Sequence, residues 1–341
     1  MLKKNAVQLG NLILSLSDAI DLIGNELAQH QIRTAFIAWQ IAEQMKLSKS
    51  RIKNIFIAAL LHDVGALSTE EKTRIHRFEE LQLDQHCQRG AALFESNTLL
   101  AHLAPIIRYH HHPIRNIDGS IDSDSILEAQ IVNIADYMER LIDRNLYILH
   151  RVDSLLQEVP KFSGSEIHHD VVDAFMQISK REDFWLDLTS PRLYSHLLHY
   201  GPIHHQSLSP EDLESVAMLF LKVIDFRSPF TATHTAGVTE CASLLAEAFG
   251  FTTKEAHEMK IAGMLHDLGK LSIPNQILEK PKGLTREEYA VIRRHTYLTY
   301  MVLSSVSGLE RIAEWAALHH ERLDGSGYPF HIKEDRISTG A

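Results

Sequence analysis

Apolar residues recur at three- and four-residue intervals along most of the chain. FIAWQIAEQM (36–45), NIFIAALL (54–61), SLLAEAFGF (243–251) and RIAEWAAL (311–318) all carry that spacing, and no long period-two alternation appears. The pattern predicts helices nearly throughout. The first 24 residues begin basic and then turn apolar, but Asp18 and Asp21 break the run, which predicts an amphipathic helix rather than a signal peptide. No apolar stretch is long enough to span a membrane. Residues 187–209 contain Pro191, Gly201 and Pro202 and read as a connection. Ser209-Pro210-Glu211-Asp212 then reads as a helix start, with a capping Ser, Pro at the first helical position and acids in the first turn. The expected architecture is all-α, with one domain over 1–205 and a second over 206–341.

Composition narrows the function classes. A chain of 341 residues can bury two cores. The formal net charge of -10 and the lack of any long Lys/Arg run argue against a binder of long nucleic acid. A small anionic nucleotide remains open, because bound cations can supply positive charge locally. Cys87 and Cys241 are the only cysteines, so neither a disulfide framework nor a CxxC zinc site can be built, and a reducing cytoplasm fits. The 22 histidines are the departure from ordinary composition.

Their distribution shows an internal repeat. IAALLHDVGAL (57–67) is matched by IAGMLHDLGKL (261–271). His30 lies 32 residues before His62, and His234 lies 32 before His266. His86 lies 24 before His110, and His295 lies 24 before His319. Each half thus carries an isolated His, a His-Asp doublet, another His and a His-His doublet, in one order. The doublets His168-His169 and His204-His205 have no counterpart in the other copy and read as surface residues. Within His110-His111-His112 the spacing selects the first two, leaving His112 a bystander.

A single His on an apolar helix is usually a packed core residue. Several in a repeated order, beside an Asp that would be costly to bury alone, point to a metal site. Imidazole with carboxylate and no thiolate suits iron, manganese, zinc or nickel. Five histidines exceed what one catalytic ion needs, so two ions bridged by one Asp are expected.

The second half resembles the HD-GYP family, metal-dependent phosphodiesterases of bacterial cyclic dinucleotides built on the helical HD fold. The resemblance rests on His234, HDLGK (266–270), His295 and HHERLDGSGYP (319–329). It implies that His234, His266, Asp267, His295, His319 and His320 are metal ligands, with Asp267 the bridge. Lys270 matches the lysine that faces a phosphate oxygen, so Asp267 and Lys270 are the expected catalytic pair. Asp324, Gly325, Gly327, Tyr328 and Pro329 form the signature loop, to which the residues alone assign no chemical step. The residues before His234, FRSPFTAT, hold no acid nearer than Asp225, so a third metal is not expected.

Two departures accompany the resemblance. The first half keeps a full ligand set, His30, His62, Asp63, His86, His110, His111 and Asp136, but has Ala66 in place of Lys270 and RNIDGSID in place of the loop. Tandem arrangements of this kind are similar to Vibrio-type phosphodiesterases that cleave 3′3′-cGAMP, so that substrate competes with cyclic di-GMP. The spacing from His111 to Asp136 places a last ligand of the second half near 345, and the chain ends at Ala341. A truncated second domain, impaired in metal binding, is therefore expected. The implied reaction is hydrolysis to a linear dinucleotide in second-messenger signalling. A non-catalytic nucleotide receptor and an HD nucleotidase are the rival readings, and a homodimer stays open.

Overall fold

Seventeen α-helices and no β-strand make up the described residues of the computed structural model, which are 6–21, 28–66, 68–79, 82–117, 122–203, 205–227 and 232–341. The side chains of Thr69 and of residues 232–234 lie outside the description. Helix α1 (Leu9–Asp21) precedes a first bundle of α2 (His30–Gln44), α3 (Lys49–Leu61), α4 (Thr69–His76), α5 (Leu83–Glu95), α6 (Ala104–Tyr109) and α7 (Ser123–Arg140). Four shorter helices follow: α8 (Val152–Leu156), α9 (His169–Ile178), α10 (Glu182–Leu188) and α11 (Leu193–Tyr200). The second bundle comprises α12 (Pro210–Arg227), α13 (Ala232–Ala248), α14 (Thr253–Leu265), α15 (Asn275–Leu278), α16 (Arg286–Ser304) and α17 (Glu310–Ala317). The fold is all-α, as the periodicity predicts.

Local signals start several of these helices. Ser48 and Ser68 accept hydrogen bonds from the backbone N–H of Arg51 and Glu71, and Asp122 accepts from Ser125. Thr252 with Glu255, and Thr285 with Glu288, form reciprocal capping boxes at the starts of α14 and α16. Ser209 caps α12 by accepting from Asp212 N–H at 3.1 Å.

The two bundles repeat one packing scheme. Helices α2 and α3 pack together as α13 and α14 do, and the pair α5–α6 recurs as α16–α17. In each copy the glycine two residues after the HD aspartate sets the closest approach. A Cβ on Gly65 would collide with the His86 carbonyl oxygen, and one on Gly269 with that of His295. The HD turn therefore rests directly on the backbone of the helix that carries the next histidine, and only glycine permits this.

Helix α1 departs from the sequence expectation. Its pattern is amphipathic, but it is buried on nearly every side from Leu9 to Asp21 instead of presenting a polar face to solvent. The reason is its position between the halves. It packs on α2 and α3 of the first bundle and on α16 and the HD turn of the second. Ser15 Oγ meets both Tyr194 Oη and Ser305 Oγ at 2.9 Å. The stretch read as a connection is also partly structural, since α11 buries Leu193 and Leu197 against α1 and α2.

Candidate metal centres

Each set of predicted residues except His234 can be followed to a place in the bundle. In the first half, His30 starts α2, His62 and Asp63 directly follow α3, His86 lies on α5, His110 and His111 directly follow α6, and Asp136 lies on α7. The structure brings all seven together. His30 Nε2 lies 3.5 Å from Asp63 Oδ2 and 3.3 Å from Asp136 Oδ1; His62 Nε2 lies 3.5 and 3.6 Å from the same two oxygens. On the other side of Asp63, Oδ1 is 3.6 Å from His86 Nε2, which is 3.3 Å from His110 Nε2. His111 Nε2 stands 3.7 Å from Asp136 Oδ2. A tetrahedral ion with bonds of about 2.0–2.2 Å separates its ligand atoms by about 3.3–3.6 Å. The spacings fit a divalent ion on either side of the Asp63 carboxylate.

Orphaned polar atoms make the same point. His62 Nε2, Asp63 Oδ1, His111 Nε2 and Asp136 Oδ1 are buried without a hydrogen-bond partner. Leaving several such groups unpaired around one point is costly, and a cation at that point removes the cost.

Backbone carbonyls orient the rings. Nδ1 of His62 and His110 lies 2.8 and 2.7 Å from the carbonyl three residues earlier. In the second half His266, His295 and His319 repeat this contact, each at 2.7 Å. A carbonyl only accepts, so Nδ1 carries the proton and the Nε2 lone pair faces the centre. His30 is held instead by Glu139, whose Oε2 is 2.5 Å from Nδ1, and Glu139 is in turn paired with Arg144 at 2.9 Å. Arg140 braces Asp136 at 2.9 Å. Glu139 and Arg140 were not singled out by sequence, although both lie in QIVNIADYMERL, three and four residues beyond Asp136 and hence on its helix face.

Charge follows this geometry. Burial alone would lower His30, but the Glu139 carboxylate and hydrogen bonds to Asp63 and Glu139 raise it to about 10. Burial would raise Asp63 and Asp136, yet their histidine neighbours, and Arg140 beside Asp136, hold both well below the usual carboxylate range. Burial, with His62 and His86 alongside, lowers His110 to about 3, so it stays neutral.

The second half shows the same arrangement where it is described. His266 Nε2 is 3.2 Å from Asp267 Oδ2, and His295 Nε2 is 3.5 Å from Oδ1 and 3.2 Å from His319 Nε2. Asp267 again turns one oxygen to each side. Burial first, then neighbouring histidines or Lys270, lowers His295 to about 4 and His319 to about 3. His234 is on α13, but its side chain lies outside the described residues. Lys270 Nζ pairs with Asp267 Oδ2 at 2.6 Å, so it contacts the central carboxylate itself.

The signature loop stands beside this centre. Tyr328 stacks on His320, with centroids 4.8 Å apart, and the Arg293 guanidinium lies over the Tyr328 ring at 5.0 Å. Gly325 has φ of 78°, and a Cβ on Gly327 would run into the backbone of Glu321 and Arg322. Asp324 accepts from Ser326 N–H at 2.8 Å, and Tyr328–Pro329 is cis. Glu321 Oε1 accepts from the N–H of Phe330 and His331 at 2.7 and 3.1 Å, tying the loop's far end back. Glu321, Arg293 and Tyr289, whose ring meets Tyr328 edge-on with centroids 6.2 Å apart, are contributors that sequence did not identify; of these only Glu321 lies in the quoted motif.

The centres differ in access. A cleft of about 520 Å³, bordered by Lys270, His295, His319, His320, Arg322 and Tyr328, opens at the second. His320 is exposed. Around the first, His62, His86, His110 and Asp136 are each 0% exposed. The space beside Asp63, Ala66, Lys72 and Arg227 holds about 20 Å³, room for a single water. A pocket of about 240 Å³ between Tyr137, Phe162 and Arg140 reaches His111 alone among the seven. The expected decoys stay apart: His112 pairs with Asp84 at 3.1 Å, His168 and His169 stack on each other beside Asp170, and His205 is exposed. His204 and residues 118–121 lie outside the described residues.

Known proteins share this sequence pattern and fold. Residues 27–141 and 219–341 each match the HD domain family. The chain is 32% identical over 335 residues to 3′3′-cGAMP-specific phosphodiesterase 1 of Vibrio cholerae, covering 95% of this chain and 77% of that protein. It is 24% identical to 3′3′-cGAMP-specific phosphodiesterase 3 of the same organism, over 98% of this chain and 84% of the relative. A cyclic di-GMP phosphodiesterase of Thermotoga maritima is 32% identical over 51% of the chain and 44% of its own length. A crystal structure of a cyclic GMP-AMP-specific phosphodiesterase from V. cholerae superposes with a TM-score of 0.68 at 21% identity, covering 95% and 91% of the two chains. No helix among the described residues is long and apolar enough to cross a membrane.

Proposed function

Since the chain belongs to the HD-GYP family of HD-domain phosphodiesterases, we propose that its second centre hydrolyses a phosphodiester bond of a cyclic dinucleotide, giving a linear dinucleotide. The substrate is 3′3′-cGAMP ahead of cyclic di-GMP, because the relatives matched along most of their length are named for the former. The observation that carries the reading is the cleft of about 520 Å³ in which three histidines, Lys270 and the Tyr328 loop meet. His234, His266, Asp267, His295, His319 and His320 hold two divalent ions there, of iron, manganese, nickel or zinc. When bound, such ions supply an activated water and draw charge from phosphate oxygens.

The chain's own groups do the rest. Neutral histidines at His295 and His319 keep their lone pairs available at working pH. Lys270 pairs with Asp267, and with divalent ions held at the centre its ammonium would be available to face a phosphate oxygen. Tyr328, stacked on His320, forms a stiff wall for a base or ribose. The first centre, enclosed and without a cleft of this size, holds its ions for structure or regulation. We place the domain boundary at 205/206, with α1 wedged between the two bundles. The protein degrades a second messenger in the cytoplasm.

A substrate panel tests this. 3′3′-cGAMP, cyclic di-GMP and deoxynucleoside triphosphates are offered to protein loaded with each metal. Linear dinucleotide should appear, with 3′3′-cGAMP turned over fastest. Asp267→Ala should abolish turnover and lose metal, whereas Lys270→Ala should slow turnover with metal content unchanged. Cleavage of triphosphates alone would make the protein a nucleotidase; tight binding without turnover would make it a receptor.

A further inference from the structure

We propose that Cys87 supplies a thiolate ligand on the His86–His110 side of the first centre, which makes that subsite a mixed sulfur, nitrogen and oxygen site. The inference deepens the reading of the first centre as metal-holding and rests on it. Cys87 follows His86 on α5 and is 0% exposed. Its Sγ lies 3.7 Å from His86 Nε2 and 4.0 Å from His110 Nε2, and those nitrogens are 3.3 Å apart. The three atoms form one of the groups able to hold an ion. For metal–nitrogen bonds near 2.05 Å and a metal–sulfur bond near 2.3 Å, tetrahedral geometry puts nitrogens about 3.3 Å apart and sulfur about 3.6 Å from nitrogen. The observed triangle is close to this.

A second observation points into the same space. Asp63 Oδ1 is buried, makes no hydrogen bond, and lies 3.6 Å from His86 Nε2. It completes a four-atom set of one sulfur, two imidazoles and one carboxylate. The other half has no such sulfur. Thr296 takes the place of Cys87 there, and its hydroxyl donates to the Arg293 carbonyl at 3.1 Å, along its own helix. The Cys87 thiol likewise donates to the Leu83 carbonyl, at 3.2 Å. On ligation that S–H bond breaks, a sulfur–metal bond forms, and the proton leaves to water. Sulfur in the set favours zinc or iron over manganese or magnesium. The two centres of one chain would then differ in metal preference.

Cobalt(II) loading of the full chain reads this directly. Cys87 and Cys241 are its only thiols, so a near-ultraviolet sulfur-to-cobalt charge-transfer band must come from one of them. The band should be present, should be lost in Cys87→Ser, and should persist in Cys241→Ser, while visible bands from imidazole-bound cobalt remain in all three. Visible bands without a charge-transfer band in the unmodified chain would overturn sulfur ligation and leave the metal centres standing. No bound cobalt would overturn both. A band lost only in Cys241→Ser would also sink the proposal. If Cys87→Ser does not fold, zinc-edge X-ray absorption of the unmodified chain decides: a sulfur neighbour at about 2.3 Å supports it, and its absence overturns it.

Discussion

Replacing Gly269 by alanine adds one methyl group that touches no proposed ligating atom, yet it should empty the second centre. The new Cβ would fall on the His295 carbonyl oxygen, 2.7 Å from its carbonyl carbon and 2.8 Å from its Cα, where ordinary contact begins at 3.4 Å. The obstacle is backbone within α16, so no side chain can rotate away. Relief needs the HD turn to withdraw from α16 by about 1 Å. His266 and Asp267 move with that turn, while His295 stays on the helix. The 3.5 Å between Asp267 Oδ1 and His295 Nε2 would widen to about 4.5 Å. Metal–ligand distances tolerate only about 0.2 Å, so one ion cannot hold both. The steric cost itself should reach about 3 kcal/mol, the upper end for overpacking, because the clash is with backbone. Gly283→Ala is the control, since a Cβ there meets nothing within 4 Å. Elemental analysis, urea unfolding and cyclic dinucleotide turnover should show Gly269→Ala destabilised, inactive and short of second-centre metal, with Gly283→Ala unchanged. Full metal content and turnover within about twofold in Gly269→Ala would refute the idea that this close approach sets the ligand geometry.

Three further outcomes follow from the same geometry. His62→Ala, at a fully buried position of the first centre, should lower the urea midpoint but leave turnover at the second centre within about twofold; proportionate loss of turnover would make the first centre catalytic. Glu321→Ala should free Phe330 and His331 from their shared carboxylate and raise KM about threefold to tenfold at unchanged metal content, and an unaltered KM would count against the loop's role in binding. Burial raises Asp21 to about 7 from a reference of 3.8, despite opposing charges on His30 and Lys72. Its folded form binds a proton more tightly than the unfolded chain does. That stability is fully present below pH 3.8 and is lost as pH rises toward 7, by up to about 4 kcal/mol. Asp21→Asn should therefore gain stability relative to the parent between pH 4 and 8, and pH-independent urea midpoint differences would contradict it.

The sequence by itself determined the helical class, the duplication and which side chains gather at each centre. Helical periodicity is a local property, and the 32- and 24-residue spacings survive because each histidine keeps its place at a helix end or on a helix face. The candidate ligand set was legible for the same reason: an order of imidazoles beside an aspartate, repeated in both halves, stands out from ordinary helical patterning. What the tertiary structure decided depends on which surfaces meet. Helix α1 has the sequence of an amphipathic helix, but both its faces are covered because the two bundles close on it. Glu139, Arg140 and Cys87 look unexceptional along the chain, and acquire roles only when α5, α6 and α7 converge. The ligand sets likewise read as equivalents, whereas packing encloses one and leaves the other beside an open cleft. Periodicity records which residues prefer burial, but enclosure is set by partner elements far apart in the chain, and no local pattern encodes that.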